Sequence, residues 1–357
     1  KRALCNSIVY MSKINILLKD KNQLINIKEI ESKYSWIFEK NKDCIISPDS
    51  DGLMCALLMS QYFNWKVKGF YDGKVLLYQK DIDPKNCIFL DIEIARKNVK
   101  SVGQHLITPC NKIYNEYGNN VFENCLSPNL LRNYDQKNNF QLKFPMATVH
   151  FLISILHHKT DINLSKKSIY PLLFVDGLYN VLFNYPENVM NWFNFLEINK
   201  ENNPLHKILF TEKDSIANIM QGMDSFFVKR NEFGAKSRRD RGDRLVISDN
   251  KSAINLKESG DFYDINDDNV NRIKKFINFL SQQLEWEFKK DDWTFKNFKK
   301  NEFEKHKLES AQGIPKDKRL INENRIKLYK NKCLSLAATA TNRVEYTLIG
   351  KNKELFE

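Results

Sequence analysis

The sequence predicts an α/β protein: a parallel sheet flanked by helices over residues 1–200, followed by a second, basic α+β domain over 201–357. Three observations predict it. In the first half, short and continuously apolar runs alternate with helical stretches, a pattern that implies βαβ units and a parallel sheet. Near Asn199 the composition turns polar and then basic. The chain's 357 residues are 42% apolar, enough for about two domains with real cores.

The elements follow in chain order. Lys1 to Tyr10 holds two basic residues and no apolar run long enough for a signal peptide, and Met11 is readable as an internal start. Asp43-Cys-Ile-Ile-Ser47 is a buried strand closed by Pro48-Asp49-Ser50-Asp51-Gly52, and Leu53 to Phe63 is a helix apolar on nearly every face. Trp65 to Phe70 alternates like a second strand, and Asn86-Cys-Ile-Phe-Leu-Asp91 is a third that ends in a carboxylate. Pro145 to His157 and Tyr170 to Leu182 read as helices covering the sheet. Asn199 to Pro204 has the turn chemistry of a connection. Val228 to Arg244 holds seven basic and three acidic residues and reads as a mobile basic loop. Val270, Ile273, Ile277, Leu280, Leu284 and Phe288 recur at three- and four-residue steps, so Asp267 to Lys289 is expected to be an amphipathic helix.

Composition excludes several classes. The longest nearly apolar stretch, Met146 to Leu156, is well short of the roughly 20 residues that span a bilayer, so no membrane partner and a cytoplasmic location are expected. Seven cysteines form no C-x-x-C pair and several sit in apolar runs, which points to small buried hydrophobes in a reducing compartment rather than zinc ligands or disulfides.

Four aspartates carry the chemistry. Asp49 and Asp51 follow the first strand, Asp91 ends the third, and Asp176 follows the apolar run Tyr170 to Val175. In a parallel sheet the C-terminal strand ends share one edge, so carboxylates just beyond them converge on one crevice. Such a cluster suits two Mn²⁺ or Mg²⁺ ions, which activate a water and stabilise a leaving oxygen of a phosphate ester. On that reading Asp51→Ala with Asp91→Ala abolishes cleavage and keeps the fold. Gly52 is expected to permit a sharp turn into the following helix. The bland alternatives are a polar loop for D-x-D-G, a helix cap for Asp91 and a solvated carboxylate for Asp176.

In their order these segments resemble the DHH phosphoesterases, which include RecJ-type single-strand exonucleases, oligoribonucleases, cyclic-dinucleotide phosphodiesterases and a manganese pyrophosphatase. The first motif of that family is similar to Ile45-Ile-Ser-Pro-Asp49-Ser-Asp51-Gly-Leu-Met-Cys-Ala-Leu57, the second to Asn86 to Asp91, and the fourth to Leu172-Leu-Phe-Val-Asp176-Gly. Cys125-Leu-Ser-Pro128-Asn129 resembles the turn, and Phe144 to Phe151 the small-residue helix, that lie between them. The likeness spans roughly residues 40 to 200. It implies that Asp91 bridges two metals, that Asp49 holds the first, that Asp51 and Asp176 hold the second, and that His105 contacts the scissile phosphate. Two departures stand out. Gly103-Gln104-His105 replaces the Asp-His-His signature, so Gln104 offers a neutral oxygen where the family has an imidazole, and Ile45 stands where some members have another histidine. The family's glycine-rich C-terminal substrate string is absent from the sequence.

Other signals are weaker. Gly69 to Lys74 is one residue short of a P-loop and lacks its Ser/Thr. His157-His158 read as a contact to a helix C-terminus, and His150 as packed within its helix. Phe288 to Phe303 interleaves aromatics with lysines, so Trp293 and Phe298 are candidates to stack on bases, with an amphipathic helix that buries them as the competing reading. Arg238, Arg239 and Arg241 are candidate phosphate contacts, and Lys316 to Lys332 adds a net +5. The expected function is a metal-dependent phosphodiesterase or nuclease acting on single-stranded nucleic acid or short oligonucleotides. The alternative is a catalytically degenerate DHH-like protein that binds nucleic acid or a protein without cleavage; a hydrolase of small nucleotides is a third reading. A homodimer or larger assembly is compatible with all three.

Overall fold

The computed structural model describes residues 23–108, 121–135, 139–210, 214–234, 242–309, 332–340 and 343–356. The apolar runs of the first half form strands β1 (Asp43–Ile46), β2 (Lys66–Tyr71), β3 (Val75–Gln79) and β4 (Ile88–Leu90), followed by two-residue strands β5 (Ser101–Val102) and β6 (Cys125–Leu126). Helices α1 (Ile27–Lys33) and α2 (Ser50–Phe63) are interleaved with them, and α3 (Pro128–Leu131), α4 (Thr148–Leu156), α5 (Ile169–Phe174), α6 (Leu178–Asn184), α7 (Pro186–Phe195), α8 (His206–Leu209) and α9 (Ile216–Glu232) follow. The remainder supplies β7 (Leu256–Ser259), β8 (Phe262–Ile265), α10 (Asp267–Leu284), β9 (Phe298–Glu302), β10 (Glu304–Glu309), β11 (Cys333–Ala340) and β12 (Arg343–Leu348).

Among the described residues the large sheet has the order β6-β5-β4-β1-β2-β3-β9-β8-β7. Its first five strands are parallel and the rest antiparallel. The chain leaves β1 toward β2 on one side and returns through β4 on the other, so the topological switch point lies between β1 and β4. Crevices at such points open beyond the strands' carboxyl ends.

Alternation along the strands explains the continuous apolarity. Cys44, Ile46, Ile88 and Leu90 join a core with α2 and α4, whereas Ile45, Phe89, Tyr71 and Leu76 pack with Phe303, Leu334, Ile349 and Phe356 on the opposite face. A sheet covered on both faces needs apolar residues at every position. A smaller sheet of order β10-β12-β11 is joined to the large one where Ala95 N–H donates to Leu334 O at 2.7 Å and Tyr71 shares a 3.0 Å hydroxyl hydrogen bond with Ser335.

Several sequence expectations change. Strands β7, β8 and β9 extend the first-half sheet, so the expected boundary at residue 200 does not divide it. The helix expected over Asp267 to Lys289 ends at Leu284, where Glu285 takes a left-handed conformation. The helix expected over Tyr170 to Leu182 is broken at Asp176, also left-handed (φ 51°). Phe288 to Phe303 is no helix: it holds a turn at Lys290–Asp292 and then β9. Trp293 and Phe298 are 5% and 0% exposed, with Phe298 packed edge-on to Phe70, so their rings offer no face for stacking on bases. This corrects their assignment to nucleic-acid binding. Gly69 to Lys74 is the β2–β3 hairpin, turned by Gly73 at φ 86°. Arg238, Arg239, Arg241 and nearly all of the 316–332 segment lie outside the described residues, as do Cys5 and Cys110. Cys44, Cys55, Cys87, Cys125 and Cys333 are buried free thiols. No helix among the described residues is long and apolar enough to cross a membrane.

Candidate functional site

The loop after β1 places Asp49 as the N-cap of α2, where its Oδ1 accepts from Gly52 N–H at 3.3 Å. Gly52 does not supply the expected sharp turn. It sits inside the helix, and a Cβ there would lie 2.1 Å from Ser47 O, so glycine is needed for close approach to the end of β1.

Asp51 points from the first turn of α2 toward another helix. Its Oδ2 and Oδ1 accept from Thr148 N–H (2.7 Å) and Val149 N–H (3.0 Å), the first donors of α4. The α4 N-cap is Ala147, which has no side-chain oxygen, so a carboxylate from α2 caps the helix and meets its positive end. Asp51 is therefore structural as well as part of the acidic cluster, so its removal is expected to cost stability in addition to any effect on cation binding. Thr148 also donates through Oγ1 to Asp91 Oδ1 at 2.7 Å, tying the carboxylate after β4 to the same helix end. Asp91 and Asp176 both have left-handed backbones (φ 59° and 51°), conformations Asp tolerates better than bulky residues and that concentrate at functional sites.

The Gly103-Gln104-His105 segment completes the cluster. Gln104 Nε2 donates to Asp176 Oδ2 at 2.7 Å, and His105 Nε2 lies 3.9 Å from the same oxygen. Two buried residues hold this segment. Asn129 donates to Gln104 O (3.0 Å) and Leu106 O (2.9 Å) and accepts from Phe144 N–H (2.7 Å), while Glu93 Oε1 accepts from Leu106 N–H at 2.7 Å. A Cβ on Gly103 would meet the Glu93 carboxyl at 2.5 Å, so the glycine makes room for this clamp.

Asp49, Asp91 and His105 line a crevice of about 430 Å³. Its other walls come from Arg244 to Ser248, from Lys305, and from the β11 and β12 residues Leu336, Ala337, Tyr346 and Thr347. Leu245 N–H donates to Pro48 O at 2.7 Å, which fixes the 244–248 strand of chain across the loop that carries Asp49.

The electrostatics follow from confinement. Burial, then the Asp49 charge, raises the Asp51 pKa to about 6. Asp91 is raised well above the usual carboxylate range by burial and by Asp51, Asp49 and Asp176 in turn. Asp176, whose side chain keeps 29% of its surface, is raised by its protein surroundings and by Asp51 and Asp49, with the Gln104 hydrogen bond and Lys143 opposing. Burial lifts Glu93 to about 7. His105 is lowered by its surroundings and then by Lys143, which leaves a neutral imidazole at pH 7.

A carboxyl group whose pKa is raised on folding stabilises the fold below its unfolded value, and that stability is lost as pH rises through its folded value. The contributions of Asp51 and Glu93 are therefore expected to be lost between pH 4 and 7, whereas His105 and His157, lowered to about 4, contribute in the opposite sense over pH 4 to 6.5. Asp51 alone contributes on the order of 3 kcal/mol. A pH series of melting temperatures on the wild type and on Glu93→Gln, without added cation, checks the Glu93 contribution: the wild type is expected to lose stability relative to the variant as pH rises from 4 to 7, and a constant difference would contradict the Glu93 shift.

Among the described residues no group of three or more His, Cys, Asp or Glu side chains is disposed as a ready-made metal site. What fits a hard divalent cation is the chemistry of the donors: carboxylates that raise one another's pKa, beside a neutral imidazole. The structure thus brings Asp49, Asp51, Asp91, Asp176, Gln104 and His105 together. Sequence reasoning missed Glu93, Thr148, Lys143, Arg244 and Lys305. An acid two residues beyond Asp91 was a legible signal for Glu93; nothing local marked the others. Of the weaker candidates, His150 is buried and bridges helices, accepting from Ala147 N–H and sharing a 3.0 Å hydrogen bond with Leu172 O. His157 is the C-cap of α4, but burial pushes its pKa down to about 4, so at pH 7 it brings no charge to the helix end.

Comparison with known proteins finds no matching family model, no matching curated protein and no matching solved structure.

Proposed function

We propose that the crevice is the active site of a divergent DHH-like phosphodiesterase that acts on single-stranded nucleic acid or short oligonucleotides. The observation that carries this reading is the convergence of four aspartates beyond the carboxyl ends of β1 and β4, at the topological switch point of the sheet. Asp49, Asp51, Asp91 and Asp176 would hold Mn²⁺ or Mg²⁺, which supplies an activated water and stabilisation of the leaving oxygen. The chain's own groups do the rest. Neutral His105 faces the crevice as a hydrogen-bond partner for a phosphate oxygen, and the Gln104 amide, whose Nε2 lies 3.1 Å from His105 Nε2, orients it. Arg244 and Lys305 bring positive charge to the far wall, where phosphate groups of a substrate would lie. The cavity is of the size that small-molecule sites have, which suits one terminal nucleotide.

The second reading, binding without cleavage, is favoured by the Gln104 amide, which occupies an oxygen of Asp176 where the resemblance calls for an imidazole. Calorimetry with Mn²⁺ and Mg²⁺, paired with cleavage assays on labelled single-stranded DNA, RNA and dinucleotides, separates the two. Cation binding with turnover supports the hydrolase. Nucleic-acid binding without cation uptake or turnover supports the degenerate form. Gln104→His is expected to strengthen Mn²⁺ dependence and raise turnover. An unchanged rate and unchanged affinity would show that Gln104 takes no part in the site.

A further inference from the structure

The four aspartates are not equivalent toward a cation. Asp51 is 0% exposed, and its two oxygens accept from Thr148 N–H and Val149 N–H. The positive end of α4 thus stands where a second cation would have to meet it, and Asp51 does not border the crevice from which a hydrated ion would approach. Asp176 keeps part of its surface, but it too stands apart from the crevice wall, and its Oδ2 accepts from Gln104 Nε2 at 2.7 Å. Asp49 and Asp91 do border the crevice. The chain's donors reach one oxygen of each, Gly52 N–H at Asp49 Oδ1 and Thr148 Oγ1 at Asp91 Oδ1.

Two carboxylates are too few to enclose an ion, and among the described residues no group of three or more Asp, Glu, His or Cys side chains is disposed to do so. Mg²⁺ is commonly held by one or two carboxylates, keeps several waters, and takes further ligands from substrate phosphates. The rest of the crevice suits such a phosphate. Arg244 and Lys305 line it, and the backbone that carries Arg244 is fixed beside Asp49 by the Leu245 N–H to Pro48 O hydrogen bond.

We propose that the crevice takes up one divalent cation, on Asp49 and Asp91, jointly with a phosphate-bearing nucleotide, so that each raises the affinity of the other. The aspartate pattern in the sequence suits two ions; the structure leaves crevice-facing carboxylates for one. The inference rests on the cation-dependent reading of the crevice and narrows it. Asp51 and Asp176 act on the cation through their charge, and Asp49 and Asp91 through their oxygens. Coupling between two ligands is reciprocal, so the nucleotide strengthens cation binding by the factor with which the cation strengthens nucleotide binding.

Equilibrium dialysis and calorimetry with Mn²⁺ on the full chain, with and without adenosine monophosphate or thymidine monophosphate, test it. The wild type is expected to bind one Mn²⁺ per chain at saturation, with an affinity that either nucleotide raises by at least about fivefold, the lower range of coupling between ligands. Asp49→Asn is expected to weaken Mn²⁺ binding by at least about tenfold. Asp176→Asn tolerates the left-handed backbone, still offers Gln104 an acceptor, and is expected to weaken Mn²⁺ binding by less than about threefold, as loss of a charge at a distance does. Two Mn²⁺ per chain, an affinity that neither nucleotide changes, or loss of the cation in Asp176→Asn overturns the proposal and leaves the cation-dependent reading standing. No Mn²⁺ uptake with or without nucleotide overturns both.

Discussion

Asp49→Asn is expected to leave the fold as stable as the wild type while weakening divalent-cation binding by at least about tenfold, the lower range for loss even of a group that only supports a metal ligand. Asp51→Ala is expected to do the reverse first, lowering stability by about 3 kcal/mol before any question of activity arises. The contrast comes from what each carboxylate touches. Asp49 caps its own helix through one oxygen and Gly52 N–H, and asparagine caps as well as aspartate. The variant therefore loses the negative charge and keeps the hydrogen bond. Asp51 receives two buried N–H groups of α4, and alanine leaves both without an acceptor. Each orphaned donor costs roughly 1–3 kcal/mol, offset in part by relief of repulsion from Asp49 and Asp91. Urea denaturation and calorimetry on the same samples give both readouts. If Asp49→Asn binds cation and turns over substrate like the wild type, Asp49 is a cap and nothing more.

The other large effect is expected at the aromatics of the second half. Phe298→Ala is expected to destabilise the chain by about 3–5 kcal/mol, as truncation of a fully buried aromatic does. Phe298 pairs with Gln79 in β3 and Tyr263 in β8 and packs against Phe70, so it joins the first-half strands to those of the second. Trp293 packs edge-on to Phe288, and its indole Nε1 has no hydrogen-bond partner, so Trp293→Phe is expected to be far milder than Trp293→Ala. Loss of nucleic-acid affinity in Trp293→Phe without loss of stability would restore a stacking role. Denaturation midpoints beside a binding titration make the comparison.

The candidate site was legible as a list of aspartates because its signal is local. An apolar run long enough for one strand, stopped by a carboxylate, marks a strand end whatever it pairs with, and β1 and β4 with Asp49, Asp51 and Asp91 follow that rule. Asp176 was found for a different reason than the one that places it: it sits at a left-handed break between α5 and α6, not at a strand end. The support around these residues was not legible. Thr148, Glu93 and Lys143 meet the cluster only through packing between segments far apart in sequence, and no spacing rule registers that.

By itself the sequence determined the α/β class, the buried strands and the residues that punctuate them, because continuous apolarity and turn chemistry are properties of neighbours along the chain. Tertiary structure decided the rest. It made strands of two residues at β5 and β6, where pairing rather than propensity creates the element. Non-local pairing also extended the sheet with β9 through Phe298 instead of a helix, and it turned Asp51 toward the N-terminus of α4. In each case the deciding hydrogen bonds join residues separated by tens or hundreds of positions, and their partners are fixed only once the core has packed.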